Sequence, residues 1–416
     1  MFKLVIHKGT NEIGGSCVEL QTENTTILID YGSVLDETST PAKIDKKIDA
    51  ILLSHSHIDH FGEIKNTPDI PIYSSPITKE LIDITSIFVT KEEIKNNFHF
   101  FKPKKSFNIG DFTITPYPTD HSAIDSFAFL IEAKGVKILY SGDFRNNGRK
   151  NYLFDNLLKE KKLKDIKYLL LEGTLISRDD SYQKTEQALE DDMKEVLKDD
   201  KLAVLISSSQ NIDRLVTAYR SAIQSGRDFV VDIYTALILD KAKLVSDNLP
   251  KIEWDRVKVY NNPNQFEKIK KHYPEFLNLL KYNFEAKDTI LKNPSKYLLK
   301  IPNYQINFDF DVNIIYSQWK GYIQKSEKLQ NLEKKHKFHY IHTSGHADIK
   351  TLKQFVEKIN PKKVIPIHTE EKHKFKEIFP NTMILEDDEV LDVLNQTLSK
   401  YDVNKLNQAF FGDKNE

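Results

Sequence analysis

Ser54-His55-Ser56-His57-Ile58-Asp59-His60 follows the apolar run Ile51-Leu52-Leu53 and precedes Phe61-Gly62-Glu63-Ile64. Three histidines and an aspartate in so short a span make a poor core and a good cation cage. In an extended segment side chains two apart point the same way, so His55 and His57 reach one cation together. Asp59 and His60, where the chain turns toward a helix, reach a second. Imidazole nitrogen with carboxylate oxygen is a zinc-type ligand set. A merely solvated histidine loop fits poorly with ligand groups packed this tightly at the end of a strand.

Upstream, Leu4-Val5-Ile6, Cys17-Val18-Glu19-Leu20 and Thr26-Ile27-Leu28-Ile29, broken by Gly9, Gly14 and Gly15, read as a sheet meander. It ends at Asp30, a carboxylate that is costly at a strand end unless hydrogen-bonded or beside a cation. Downstream, Phe112-Thr113-Ile114-Thr115 and Phe127-Ala128-Phe129-Leu130-Ile131 bracket Thr119-Asp120-His121-Ser122. Val136-Lys137-Ile138-Leu139-Tyr140 runs into Ser141-Gly142-Asp143. The glycine permits close backbone approach, and a strand-end carboxylate bridges two metals by giving one oxygen to each. Arg145 and Arg149 follow as candidate phosphate forks, with surface solvation the alternative for Arg149.

At 416 residues the chain exceeds one ordinary domain, so two domains or a large insertion is expected. A composition of 39% hydrophobic and 29% charged residues excludes a disordered or fibrous protein. A formal net charge of −1 leaves no global basic footprint, so a polyanion must be gripped by a local groove and by the metals. The single Cys17 cannot form an internal disulfide and reads as packing. The N-terminus lacks a signal-peptide pattern, and no apolar run approaches the ~20 residues a bilayer needs. A cytoplasmic protein away from membranes is expected.

From about Tyr182 the texture becomes a regular alternation of helix and buried strand. Ile212, Leu215, Val216, Tyr219, Ala222 and Ile223 keep helical spacing and stop at Gly226, between the strands Leu202–Ile206 and Phe229–Ile233. Such alternation implies a small doubly wound parallel sheet. The stretch 264–337 is rich in lysine and aromatics, notably Tyr316-Ser317-Gln318-Trp319-Lys320-Gly321-Tyr322. Interleaved cations and rings suit single-stranded nucleic acid. A solvated helix face with core aromatics explains any one of them equally well, and only their position relative to the site decides. The end of the chain resumes the first texture: Phe338-His339-Tyr340-Ile341 leads to His342-Thr343-Ser344-Gly345-His346-Ala347, and Val364-Ile365-Pro366-Ile367 leads to His368.

The H-x-H-x-D-H turn resembles the signature of the metallo-β-lactamase superfamily. Glu172 after Tyr168-Leu169-Leu170-Leu171, the doubly wound insertion, Ser344–Ala347 and His368 together resemble its β-CASP nucleases, most closely the ribonuclease J family in a short form. The resemblance implies an α/β (α+β) architecture, an αββα sandwich formed by residues 1–180 and a return segment 336–416, with a β-CASP insertion at 181–335. It implies two Zn²⁺, with Mn²⁺ as the alternative occupant. One would be held by His55, His57, His121 and Asp143, the other by Asp59, His60, Asp143 and His368, with Asp30 bracing the histidine turn. Activated hydroxide would attack the phosphorus of single-stranded RNA, exonucleolytically from the 5′ end, endonucleolytically, or both. Asp59 and His346 would be catalytic, with Glu172 orienting His346. Ser207, Ser208, Ser209, Arg145, Ser344 and Ala347 would contact phosphate. Two departures stand out. The chain ends before the C-terminal domain that supports ribonuclease J oligomers, leaving a homodimer as an open expectation. Ser208-Ser209-Gln210-Asn211 also lacks the histidine found just downstream in close relatives. The alternatives are a (thio)ester or lactone hydrolase, which has no use for the insertion, and an inactive RNA-binding scaffold, which would have shed ligands.

Overall fold

The computed structural model describes residues 1–178, 183–281, 283–302 and 306–400. The expected boundary at 181 and the tail beyond 400 lie outside these residues. Two sheets face each other. The first has eight strands in the order Thr397–Lys400, Glu389–Asp392, Phe2–Lys8, Cys17–Thr22, Thr26–Ile29, Ala50–Leu52, Ile72–Ser74 and Phe98–Phe100. The second has six: Lys363–Ile367, Tyr168–Glu172, Val136–Tyr140, Ser126–Ala133, Phe112–Thr119 and Phe107–Ile109.

Successive side chains on a strand point to opposite faces, so a strand covered on both sides reads as a continuous apolar run. Phe127, Phe129 and Ile131 point between the sheets and meet Phe2, Leu4 and Ile6. Their neighbours Ala128 and Leu130 point outward onto Phe154 of helix Tyr152–Leu158 and Phe355 of helix Ile349–Ile359. On the far side, Leu28, Ile51 and Leu53 pack against Phe61, Ile64 and Ile82. The layers are therefore helix, sheet, sheet, helix.

Inserted in the sequence between Tyr168–Glu172 and Lys363–Ile367, a third sheet has seven parallel strands, ordered Phe284–Glu285, Val257–Tyr260, Asp228–Asp232, Tyr297–Lys300, Ala203–Ile206, Asn313–Tyr316 and Lys337–Tyr340. One face buries Leu189, Met193 and Leu215 and the other Ile290, Ile323 and Leu332, the doubly wound pattern. Helix Ile212–Gln224 starts under an Asn211 cap and ends before Gly226, whose φ of +75° ends the helical path. One boundary moves. Lys337–Tyr340 pairs in parallel with Asn313–Tyr316, so this strand belongs to the inserted sheet and not to the return segment read as starting at 336. Its apolar run ending in a histidine looks like the sandwich strands, and only its pairing tells them apart. Among the described residues no helix is long and apolar enough to cross a membrane.

A buried ionic joint ties insertion to sandwich. Arg145 is fully buried, with Nη2 2.5 Å from Asp213, Nη1 donating to the Ser344 carbonyl at 3.0 Å, and Asp120 and Glu186 at 3.6 and 3.5 Å. Arg214, equally buried, holds both oxygens of Glu186 at 3.2 Å and donates to the Thr343 carbonyl. This corrects the expectation that Arg145 forks phosphate, because its guanidinium is enclosed by carboxylates. Arg149 likewise is engaged by Glu190 at 2.7 Å. Removing one member of such a network leaves uncompensated buried charge. Arg145→Ala is expected to lose about 3–5 kcal/mol of stability in urea denaturation; a change within the noise of the measurement would show the joint to be dispensable.

His7, buried on the first strand, bridges its neighbours through Asp388 at 2.7 Å and Glu19 at 3.0 Å. Burial opposes its charge, but these two carboxylates prevail and raise its pKa above the ordinary value of 6.5. The ion pairs therefore stabilise the fold fully below the unfolded pKa, and the contribution is lost as pH rises through the raised folded value. The stability gap between the protein and His7→Phe is expected to shrink from about pH 6 to about pH 9. Denaturation midpoints across that range check it, and a constant gap would refute it.

Candidate metal centre

Strands of both sheets end at one place. Ala50–Leu52 delivers His55 and its turn, Val136–Tyr140 delivers Asp143, Tyr168–Glu172 delivers Glu172, and Lys363–Ile367 delivers His368. His121 comes from the loop joining Phe112–Thr119 to Ser126–Ala133. Two glycines allow the approach. A Cβ on Gly32 would lie 1.7 Å from the Asp59 carbonyl oxygen, and one on Gly142, at φ +53°, would lie 2.4 Å from the Phe127 carbonyl oxygen. His368 itself adopts φ +49°, a conformation that costs a side-chain-bearing residue energy and occurs where function demands it.

The side chains sort into overlapping groups, His55 with His57 and His121, His55 with His60 and Asp143, and Asp59 with His60 and His368. Asp143 Oδ2 is the hub, 3.2 Å from His60 Nε2 and 3.7, 3.8 and 3.7 Å from His55, His121 and His346. His57 Nδ1 faces His121 Nε2 at 3.2 Å, and His368 Nε2 faces Asp59 at 3.3 Å. Every site residue expected to hold metal is thus in one cluster.

The outer hydrogen bonds fix which ring nitrogens point inward. Asp30 accepts from the Ser54 amide and hydroxyl, from Tyr140 Oη and from His60 Nδ1, all between 2.7 and 2.8 Å. His121 Nδ1 donates to the Gly345 carbonyl at 2.6 Å, and His55 Nδ1 lies 3.0 Å from the Ser54 hydroxyl. With Nδ1 protonated in each, Nε2 offers a lone pair. His55 Nε2 and His60 Nε2 are buried without a hydrogen-bond partner, which is costly unless a cation accepts them. The donor set and its orphaned lone pairs fit a metal.

The charges agree. Burial and the neighbouring imidazoles hold His55 well below the usual histidine range, and burial takes His57 down to about 4 and His121 well down too, so these rings are neutral donors at pH 7. Burial opposes ionisation of Asp59 and Asp143, but the surrounding histidines hold both well below the carboxylate range. His60 goes the other way, burial being outweighed by Asp143 and Asp30.

Beside the cage, His346 Nδ1 is 3.4 Å from Glu172, which also accepts from the amides of Thr174 and Ala347 at 3.1 Å. Against burial, the carboxylates of Glu172 and Asp143 raise the His346 pKa. The sequence reading missed Thr174, whose hydroxyl sits 3.1 Å from His346 Nδ1 and 2.9 Å from His368 Nδ1. Its only signal was its place two residues after the strand-ending Glu172.

Of the expected phosphate contacts, Ser344 and Ser208 keep exposed surface. Ala347 is corrected: it is buried and its amide serves Glu172. Ser209 is corrected as well, its hydroxyl turned inward to Thr235 at 2.8 Å and to the buried Lys300 ammonium at 3.2 Å. Ser207 Oγ is buried and unpartnered. The loop nonetheless lies against the histidine turn, for Ser56 donates to Gln210 at 3.1 Å.

Residues 25–202 match the Beta-lactamase superfamily domain, and residues 331–377 match the Zn-dependent metallo-hydrolase RNA specificity domain. An RNase J-like protein of Methanocaldococcus jannaschii is 29% identical over 65% of this chain and 67% of its own. Ribonuclease J of Helicobacter pylori is 24% identical over 88% of this chain, which spans 55% of that relative. Ribonuclease J of Pyrococcus abyssi is 22% identical over 89% of this chain and 90% of its own. A crystal structure of a protein of unknown function from Enterococcus faecalis has the same fold, with a TM-score of 0.76 at 21% identity, over 94% of this chain and 99% of that one. The chain thus carries a segment similar to the β-lactamase superfamily domain followed by one similar to an RNA specificity domain of zinc-dependent metallo-hydrolases. The relatives named above are ribonuclease J or RNase J-like proteins.

Because Asp30 fixes the His60 tautomer, Asp30→Asn is expected to weaken metal affinity about 10–100-fold. Competition with a chromophoric chelator measures this, and an unchanged affinity would remove Asp30 from the centre.

Proposed function

We propose that the protein is a metal-dependent ribonuclease that hydrolyses phosphodiester bonds of single-stranded RNA. The observation that carries the reading is the segment matched to the RNA specificity domain: it delivers both His368, which closes the cage, and His346, which stands beside it on Glu172. The names of the relatives support it.

In this reading His55, His57 and His121 would hold one cation and Asp59, His60 and His368 a second, with Asp143 a ligand available to both. Zinc, or manganese in its place, supplies there a lowered pKa for water and neutralises charge on the phosphate. The chain's own groups do the rest. Asp59 and Asp143, ionised because imidazoles surround them, keep the pocket ready for cations. His346, 3.4 Å from Glu172, stands where it would stabilise the phosphoryl oxygens and protonate the departing 3′ oxygen. The water oxygen bonds to phosphorus as the bond from phosphorus to that 3′ oxygen breaks. Glu172 and Thr174 hold the His346 ring.

Metal-loaded protein is expected to cleave a single-stranded RNA labelled at either end, with product lengths reading out direction. His57→Ala and His346→Ala should each lower turnover at least about 100-fold, the scale of one acid–base or charge-stabilising group. Wild-type turnover by either variant would overturn the role given to that residue, and intact RNA with fully loaded wild type would overturn the activity.

A further inference from the structure

The stretch Tyr316-Ser317-Gln318-Trp319-Lys320-Gly321-Tyr322 has no part in the cage, yet the fold brings it to the rim. The Ser317 amide donates to the Ile206 carbonyl at 2.8 Å and its hydroxyl donates to the Ile341 carbonyl. The root of the loop is thereby pinned between the serine loop after Ile206 and the segment leading to His346. From there Trp319 reaches across to the sandwich, where the Arg178 guanidinium covers its ring at 4.6 Å. Arg178 lies four residues after Thr174, whose hydroxyl touches His346 and His368.

Tyr322 stands edge-on to Trp319, with centroids 5.3 Å apart at 88°, and remains 45% exposed. Along the same rim the Lys320 ammonium lies 5.7 Å from the Tyr340 ring centroid. The loop is built for this shape. A Cβ on Gly321 would fall 2.3 Å from the Trp319 ring, so only glycine lets the indole fold back over its own loop.

Aromatic rings braced in place, half-exposed, next to cations and beside a phosphate-handling centre match what unpaired nucleobases recognise: stacking on a π-face with charge nearby for the backbone. Resting on the ribonuclease reading, we propose that Tyr322 and the Arg178-braced Trp319 form a stacking shelf for a nucleobase beside the scissile phosphate. Every base has a π-face, so the shelf discriminates little by sequence. It selects unpaired strands, because a base inside a duplex already has its faces covered.

The test uses the metal-loaded full chain and RNA with phosphorothioate linkages that resist hydrolysis, so that binding is read without turnover. A fluorescently labelled oligoadenylate RNA is titrated and followed by anisotropy, while tryptophan emission is followed with the unlabelled strand. Emission assigned to Trp319, from the difference between wild type and Trp319→Phe, is expected to be quenched on binding. Tyr322→Ala should weaken affinity about tenfold and Tyr322→Phe little, since a stacked base contributes ~1–3 kcal/mol. Wild type should bind a strand with one abasic site about tenfold more weakly when that site falls on the shelf, a comparison that needs no variant to fold. Binding by anisotropy with unquenched Trp319, unchanged Tyr322→Ala affinity and indifference to every abasic position would overturn the shelf and leave the ribonuclease reading intact. No binding of any RNA would overturn both.

Discussion

The structure depends on one electrostatic constraint: imidazoles and carboxylates are buried together in a cluster that could hold a metal ion. Five imidazoles stand within 3.8 Å of the Asp143 carboxylate. Two of their nitrogens are buried without a hydrogen bond. Such a cluster persists because the surrounding hydrogen bonds leave no alternative, with Asp30, the Ser54 hydroxyl and the Gly345 carbonyl each taking an outward Nδ1 and aiming Nε2 inward. Low dielectric makes each misdirected lone pair expensive, which is why strands from both sheets end on the same point.

The clustering of the candidate ligands was legible because residues of that kind obey local rules. His55 to His60 share one turn, Asp143 and His368 end apolar runs, and a strand's end is readable from where the run stops. The inserted sheet was legible from alternation. What stayed hidden was pairing. Nothing local tells that Arg145 faces Asp213, 68 residues on, and not solvent. Ser209 and Ala347 belong to motifs of the right composition, but whether an amide or hydroxyl is free depends on Lys300 and Glu172 taking it. Lys337–Tyr340 carries an apolar run and a following histidine like the sandwich strands, and only the adjacent Asn313–Tyr316 shows where it pairs. Thr174 had no pattern of its own.

The two lobes meet through charge and rings and through an apolar seam, in which Ile77, Leu81, Ile84 and Ile124 of the sandwich join the core of the insertion. Arg145 and Arg214 gather Asp120, Glu186 and Asp213 with the carbonyls of Thr343 and Ser344, so one joint holds the first sandwich segment, the insertion and the return segment. The contact of Arg178 with Trp319 is a second such bridge. The cleft geometry is therefore set by groups that have few other ways to be satisfied.

The order of strands in the sandwich also bears on how the polypeptide acquires its shape on the ribosome. The histidine turn is translated early, whereas His368, which faces Asp59, arrives 309 residues later. Domains fold as units while the nascent chain emerges, so the inserted sheet, complete at Tyr340, has all its strands before the sandwich around it does. Phe2–Lys8 must wait for Glu389–Asp392 to cover its edge. The oldest part of the chain is thus the last to be closed.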